Sequence, residues 1–177
     1  MKSVWIRCAA GFAFLALIVA ANWLTVSYGL VPVGLGMVAT AGTWAAGLVL
    51  LTRDWVQELS GKTVVVALIA VGAAGSAELA GPQLAVASGV AFAVSELADL
   101  AVYTPLRRKG WVRAAFASNV VGSAVDTVLF LALAGFPVWQ AMPGQMFAKT
   151  AVTAVFVGLA WVVGRAVLRH RIRTSGA

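Results

Sequence analysis

Four ionisable residues stand in stretches that are otherwise almost wholly apolar: Glu96, Asp99, Asp126 and Lys149. A charge at the centre of a membrane helix costs about 2.5–3.5 kcal/mol on insertion scales, and such residues mark substrate or ion paths. Their spacing predicts convergence. Glu96 and Asp99 are three apart, on one helix face. Asn119, Ser123 and Asp126 follow i, i+4, i+7, and Gln145, Lys149 and Thr153 follow i, i+4, i+8. Three successive helices thus each carry one polar stripe, and in lipid those stripes must face each other or water. The expected product is a polar cavity inside a bundle, near mid-membrane. A carboxylate there accepts two adjacent N–H donors in bidentate fashion, and an ammonium donates to a carbonyl. Trp44 offers an aromatic face for stacking. Asn22 either lines the cavity or bonds another helix. Three carboxylates against one ammonium leave an excess of negative charge; the acids that Lys149 does not neutralise need protons, water or the donors of a ligand. The competing reading of the same residues is a salt-bridge network that only fixes helix packing.

Other motifs carry no chemistry. Gly61-Lys62-Thr63 ends like a phosphate-binding loop, but the first glycine that loop requires falls on Val56. Gly34-Leu35-Gly36 fits a dinucleotide fingerprint loosely, without a βαβ unit. The one histidine, His170, lies in the basic tail without a metal-ligand partner. No catalytic residue, metal site, cofactor or ATPase motif is read, so an enzyme is not expected.

The elements that must position the polar residues follow from composition. The 177 residues are 62% hydrophobic and only 11% charged, and mean hydropathy is +0.95. Soluble domains are about 45–50% apolar and about 25% charged, so this is the composition of a polytopic membrane protein. A span needs about 20 apolar residues. Six such segments can be read: Val4–Tyr28, Leu30–Thr52, Val64–Ala80, Leu84–Leu106, Val112–Phe136 and Met142–Leu168. The predicted fold is a single all-α domain over 1–177, an integral membrane bundle of six transmembrane helices.

The basic residues orient it. Lys2 and Arg7, then Arg53 and Lys62, then Arg107 to Arg113, then Arg165 to Arg173 all fall on one side; the intervening connections hold no Lys or Arg. The positive-inside rule then places both termini in the cytoplasm, in a multi-pass protein of the inner (plasma) membrane. The net charge of +7 is explained by topology and lipid headgroups. Nucleic-acid binding is not expected, because no basic face is free of the membrane. Lys2 and Arg7 ahead of an apolar run also suit a secretory signal, but the run continues through Trp23 and Val26, which favours a retained helix. Cys8 is expected to be a buried, inert thiol. Asp54 and Glu58, i and i+4, sit on a short helical extension. They are either a solvated cap or an inner gate that pairs with Arg107–Arg113.

In order along the chain, Asn22, Thr43-Trp44, Asp54 and Gly61 in RDWVQELSGK, Asp99 in SELADLAVYTPLRRKG, Ser118, Gly122 and Asp126-Thr127 in SNVVGSAVDTVLF, and Lys149 in GQMFAK form a set that resembles the queuosine precursor transporters of the vitamin uptake transporter family. The resemblance covers nearly the whole chain. It implies a six-helix inner-membrane importer of 7-cyano- or 7-aminomethyl-7-deazaguanine. This chain departs from the family in its minimal tails, and some members carry an amide where Glu96 stands.

The resulting expectation is a carrier with a substrate site between the fourth, fifth and sixth helices, lined by Asn22, Trp44, Glu96, Asp99, Asn119, Ser123, Asp126, Gln145 and Lys149. Partners are the small-molecule deazaguanine and membrane lipid; a homo-oligomer is compatible with the sequence. Two other classes fit the same residues: a substrate-binding subunit of an ATP-energised importer, and a proton- or ion-coupled carrier of another small heterocycle.

Overall fold

The structure, a computed structural model, describes residues 4–175; the side chains at 54, 100, 111, 115, 157, 160, 161 and 163–175 lie outside the described residues. Among the described residues there are six α-helices: α1 (Val4–Tyr28), α2 (Thr43–Ser60), α3 (Lys62–Ala80), α4 (Pro82–Leu106), α5 (Trp111–Ala134) and α6 (Val138–Ser175). A single 3-10 turn, Arg107–Lys109, joins α4 to α5. Four of the helices are long and apolar enough to cross a bilayer, at Val4–Tyr28, Lys62–Ala80, Pro82–Lys109 and Val112–Ala134.

The second segment differs from expectation. Residues 30–52 are not one helix. A two-stranded antiparallel hairpin, β1 (Leu30–Gly34) and β2 (Met37–Thr40), comes first, and α2 starts only at Thr43. The reason is local. Pro32, Gly34 and Gly36 would cost a helix about 3 kcal/mol for the proline and about 1 kcal/mol for each glycine. Val31, Val33 and Val38 favour strands. Leu35 and Gly36 form the two-residue turn, both at positive φ (54° and 72°), as a primed hairpin turn requires. The glycines that resembled a dinucleotide fingerprint therefore serve a hairpin. Because the apolar run is spent partly on strands, α2 is 18 residues long and carries Arg53, Asp54 and Glu58 within it.

A hairpin is tolerated at this place only where protein covers its polar backbone. The start of α6 does so. A Cβ on Gly144 would lie 2.1 Å from the Val38 carbonyl oxygen, so the α6 backbone abuts β2 directly. Pro143 precedes it in the second turn of α6. At the base of the hairpin Gly42 approaches α1 just as closely: a Cβ there would lie 1.9 Å from the Ala21 carbonyl oxygen.

The apolar core is formed by Phe14, Ile18, Val49, Val56, Val65 and Phe92. Phe14 and Phe92 meet edge to face at 6.2 Å, which ties α1 to α4. Small residues bring the helices together: a Cβ on Gly72 would meet Ile18 at 3.0 Å, and one on Gly122 would meet the Asp99 Cβ at 3.3 Å. Trp5, Trp23, Trp55 and Trp139 are exposed near helix ends, where interfacial tryptophans anchor a helix. Cys8 is exposed on α1, contrary to the expectation of a buried thiol.

Candidate functional site

Among the described residues, two interior cavities border the predicted polar residues. The larger, about 60 Å³, is lined by residues of all six helices and of β2. At about 10–15 Å³ per water, it holds roughly four to six waters, the room of a small ring system. Its polar wall is Asn22, Thr40, Thr43, Asp126, Gln145 and Lys149; Ile18, Val49, Ile69, Phe92 and Phe130 make the apolar sides.

Lys149 is the anchor of the polar wall. It is 1% exposed, and its Nζ donates to Asp126 Oδ2 at 2.5 Å and to Thr127 Oγ1 at 3.0 Å. The geometry follows from the sequence spacing. Asp126 and Thr127 project from α5 toward α6, and Lys149 lies one helical turn beyond Gln145 on the facing stripe. An ammonium this deeply buried needs a carboxylate, and the pair is neutral. Oδ2 is held by Lys149, while Asp126 keeps contact with the cavity.

The hairpin end of the cavity is a chain of hydroxyls. Gln145 Nε2 donates to Thr40 Oγ1 at 3.0 Å. Thr43 Oγ1 donates to the Thr40 carbonyl at 2.7 Å and lies 3.0 Å from Thr40 Oγ1. With the Thr43 proton committed to the carbonyl, the Thr40 hydroxyl is the donor between the two. This network fixes β2 to the first turn of α2, whose Thr43 and Ala46 line the cavity. No side chain caps the α2 N-terminus, which leaves partial positive charge there.

Asn22, in the same polar wall, donates from Nδ2 to Ser76 Oγ at 2.9 Å, both residues buried. Ser76→Ala would leave that donor unpaired, at a cost of about 1–3 kcal/mol. The expected outcome is a lower unfolding midpoint in detergent with membrane insertion unchanged. An unchanged midpoint would mean that Asn22 finds water or another acceptor.

The smaller cavity, about 10 Å³, lies further along the bundle and is lined by Leu50, Arg53, Ser95, Glu96, Asp99, Asn119, Gly122 and Ser123. Leu50 lines both cavities. Arg53 and Glu96 form an ion pair across α2 and α4.

The predicted residues thus divide. Asn22, Asp126, Gln145 and Lys149 border the larger cavity; Glu96, Asp99, Asn119 and Ser123 border the smaller. The larger cavity is not confined to the fourth, fifth and sixth helices, since α1, α2, α3 and the hairpin supply much of its wall. Trp44 borders neither cavity and is 41% exposed, so Phe92 and Phe130 are the aromatic faces at hand. The hairpin explains this: α2 begins at Thr43, directly after the close approach of Gly42 to α1, which fixes its phase so that Thr43 is buried and Trp44 turns outward. Glu58 makes no ion pair with Arg107–Arg113 among the described residues, and the Asp54 side chain lies outside them.

Sequence reasoning misses Thr40, Thr43 and Arg53 as lining residues. It places Arg53 in a charged connection, yet Arg53 is 7% exposed within α2 and paired with Glu96. The available signal is its position: from a helix beginning at Thr43, Arg53 lies ten residues in, on the Val49 face.

Residues 76–163 match the model of a family described as "Putative vitamin uptake transporter". The matched stretch runs from Ser76 through α4 and α5 and into α6, and so carries Glu96, Asp99, Asp126 and Lys149. No curated protein and no solved structure matches the chain. Over that stretch the chain is similar to the vitamin uptake transporters, and this similarity, with the long apolar helices, points to a membrane protein of the transporter kind.

Proposed function

We propose that the chain is a six-span importer of the inner (plasma) membrane, both termini cytoplasmic, and that the larger cavity binds a small flat heterocycle of the 7-deazaguanine class. The observation that carries this reading is the pairing of one polar edge, Asp126–Lys149 with Gln145 and Asn22, with apolar walls that include Phe92 and Phe130. A planar base with hydrogen-bonding edges and stacking faces matches such a room. The guanine-like edge presents two adjacent N–H donors, which a carboxylate accepts together. Asp126 is the acceptor that fits, and Lys149 holds it in place. Gln145 and Lys149 donate to the ring carbonyl, and a phenylalanine ring covers the face. A site built on hydrogen bonds discriminates strongly against bases that lack them. In this reading Glu96, Asp99, Asn119 and Ser123 belong to the path leading away from the cavity, and Arg53–Glu96 closes it at that end. Membrane lipid is the other partner.

The test is a thermal-shift screen of the purified protein in detergent against guanine, the 7-cyano and 7-aminomethyl deazaguanines, biotin and other vitamins. Ligand at about 100 times its Kd stabilises by about 2.7 kcal/mol. A shift with the deazaguanines alone is expected. Shifts with biotin but with no purine-like base would overturn the substrate assignment. Uptake by proteoliposomes holding this chain alone distinguishes a self-sufficient carrier from a binding subunit.

A further inference from the structure

The side-chain charges around the larger cavity balance. Among the described residues that line it, Asp126 and Lys149 are the ones that ionise. They hold each other, with Lys149 Nζ 2.5 Å from Asp126 Oδ2. Arg53, Glu96 and Asp99 line the smaller cavity and not this one. The rest of the polar wall is uncharged. Asn22 and Gln145 spend an amide N–H on Ser76 and Thr40, and their carbonyl oxygens accept hydrogen bonds without supplying a countercharge.

A ligand's own charge then decides how well it fits. An ammonium group in this cavity finds one countercharge, Asp126, already engaged. Taking Asp126 from Lys149 strands an ammonium that is 1% exposed and keeps only the Thr127 hydroxyl. A buried charge that loses its partner is strongly destabilising. Sharing Asp126 instead leaves two cations against one carboxylate, between apolar sides made by Ile18, Val49 and Ile69. The rings of Phe92 and Phe130 attract a cation but do not neutralise it. A carboxylate or phosphate ligand meets the converse difficulty, since the Lys149 charge is committed to Asp126. An uncharged ligand leaves the pair intact and uses its remaining hydrogen-bonding capacity.

We infer that the larger cavity selects its ligand by charge: of two bases alike in ring and hydrogen-bonding edge, it takes the one whose side group is uncharged, and it takes an amine only as the free base. The inference rests on the reading above that this cavity binds a base, and it makes the balanced Asp126–Lys149 pair the specificity-determining feature. Of the two deazaguanines, the 7-cyano compound has a neutral side group. The 7-aminomethyl compound, like a lysine side chain, is an ammonium at neutral pH. The cyano compound is therefore the preferred ligand.

The experiment is calorimetric titration of the detergent-purified full chain with each deazaguanine, between about pH 6 and about pH 8. At neutral pH the cyano compound is expected to bind at least about tenfold more tightly, the scale of close charge coupling at a buried site. Its Kd should stay level across the range, which also reports on any titration of the protein. The aminomethyl affinity should rise about tenfold per pH unit, following the fraction of free base. Gln145→Glu adds a carboxylate to the wall one helical turn from Lys149. It should shift the affinity ratio at least about tenfold toward the aminomethyl compound. A ratio is read, so general weakening does not hide the effect, and the wild-type pH series stands if that variant does not fold. Equal affinities in wild type, or a pH-independent Kd for the aminomethyl compound, would overturn the inference and leave the base reading standing. An unchanged ratio in folded Gln145→Glu would overturn it too. Binding of neither compound would defeat the deazaguanine reading, and the inference with it.

Discussion

Lys149→Ala is expected to abolish uptake and to lower the unfolding midpoint of the detergent-purified protein. Lys149 is 1% exposed and its Nζ holds Asp126 at 2.5 Å and Thr127 at 3.0 Å. Removing one partner of a buried pair costs about 3–5 kcal/mol, because the other charge is left uncompensated. Here the Asp126 side chain keeps 14% exposure and borders the cavity, so water screens part of the loss and the low end of that range applies. Stability alone does not separate a binding residue from a packing residue, so the decisive variant is the double one, Asp126→Asn with Lys149→Met. It removes both charges and should recover most of the stability. If the pair serves the substrate, uptake into proteoliposomes stays at background in the double variant despite normal insertion. If the pair only fixes helix packing, uptake returns with stability, and the assignment of the site falls.

The second large effect concerns a residue with no side chain. Gly144→Ala would place a Cβ 2.1 Å from the Val38 carbonyl oxygen and 2.6 Å from its carbon. Both are backbone atoms, so no rotamer change relieves the clash; α6 or the hairpin must move. Overpacking typically costs about 1–3 kcal/mol when side chains yield, and here they cannot, so the effect lies at or above the top of that range. Displacing the hairpin also breaks the Gln145–Thr40–Thr43 chain and opens the cavity wall. The expected result is little monodisperse protein on size exclusion after detergent extraction, and loss of uptake in what remains. Gly158→Ala is the control. Gly158 is also in α6, but a Cβ there would meet nothing within 4 Å, so extraction and uptake should match wild type. Equal behaviour of the two variants would show that α6 does not pack on the hairpin as described.

The helices are legible in sequence where local physics decides. Val4–Tyr28 is read to the residue, and α3, α4 and α5 within about two residues at each end, because unbroken apolar runs bounded by Gly or Pro have one solution. The convergence of Asp126 and Lys149 follows from helical spacing and the cost of charge in lipid. The hairpin has its signal too. Pro32, Gly34 and Gly36 argue against a helix, yet a search for spans counts their apolar neighbours and misses the β-branched alternation.

Sequence alone dictates the class of molecule, its long apolar helices and the identity of the residues too costly to face lipid. How those residues are partnered is a property of the packing. Periodicity places a side chain on a face, but it carries no information on the phase of one helix against another. That phase puts Arg53 against Glu96, sends Trp44 outward, and divides the polar stripes between two cavities that both border Leu50. The close approaches at Gly42 and Gly144 set it, because backbone contacts between distant segments fix distances that no local pattern encodes.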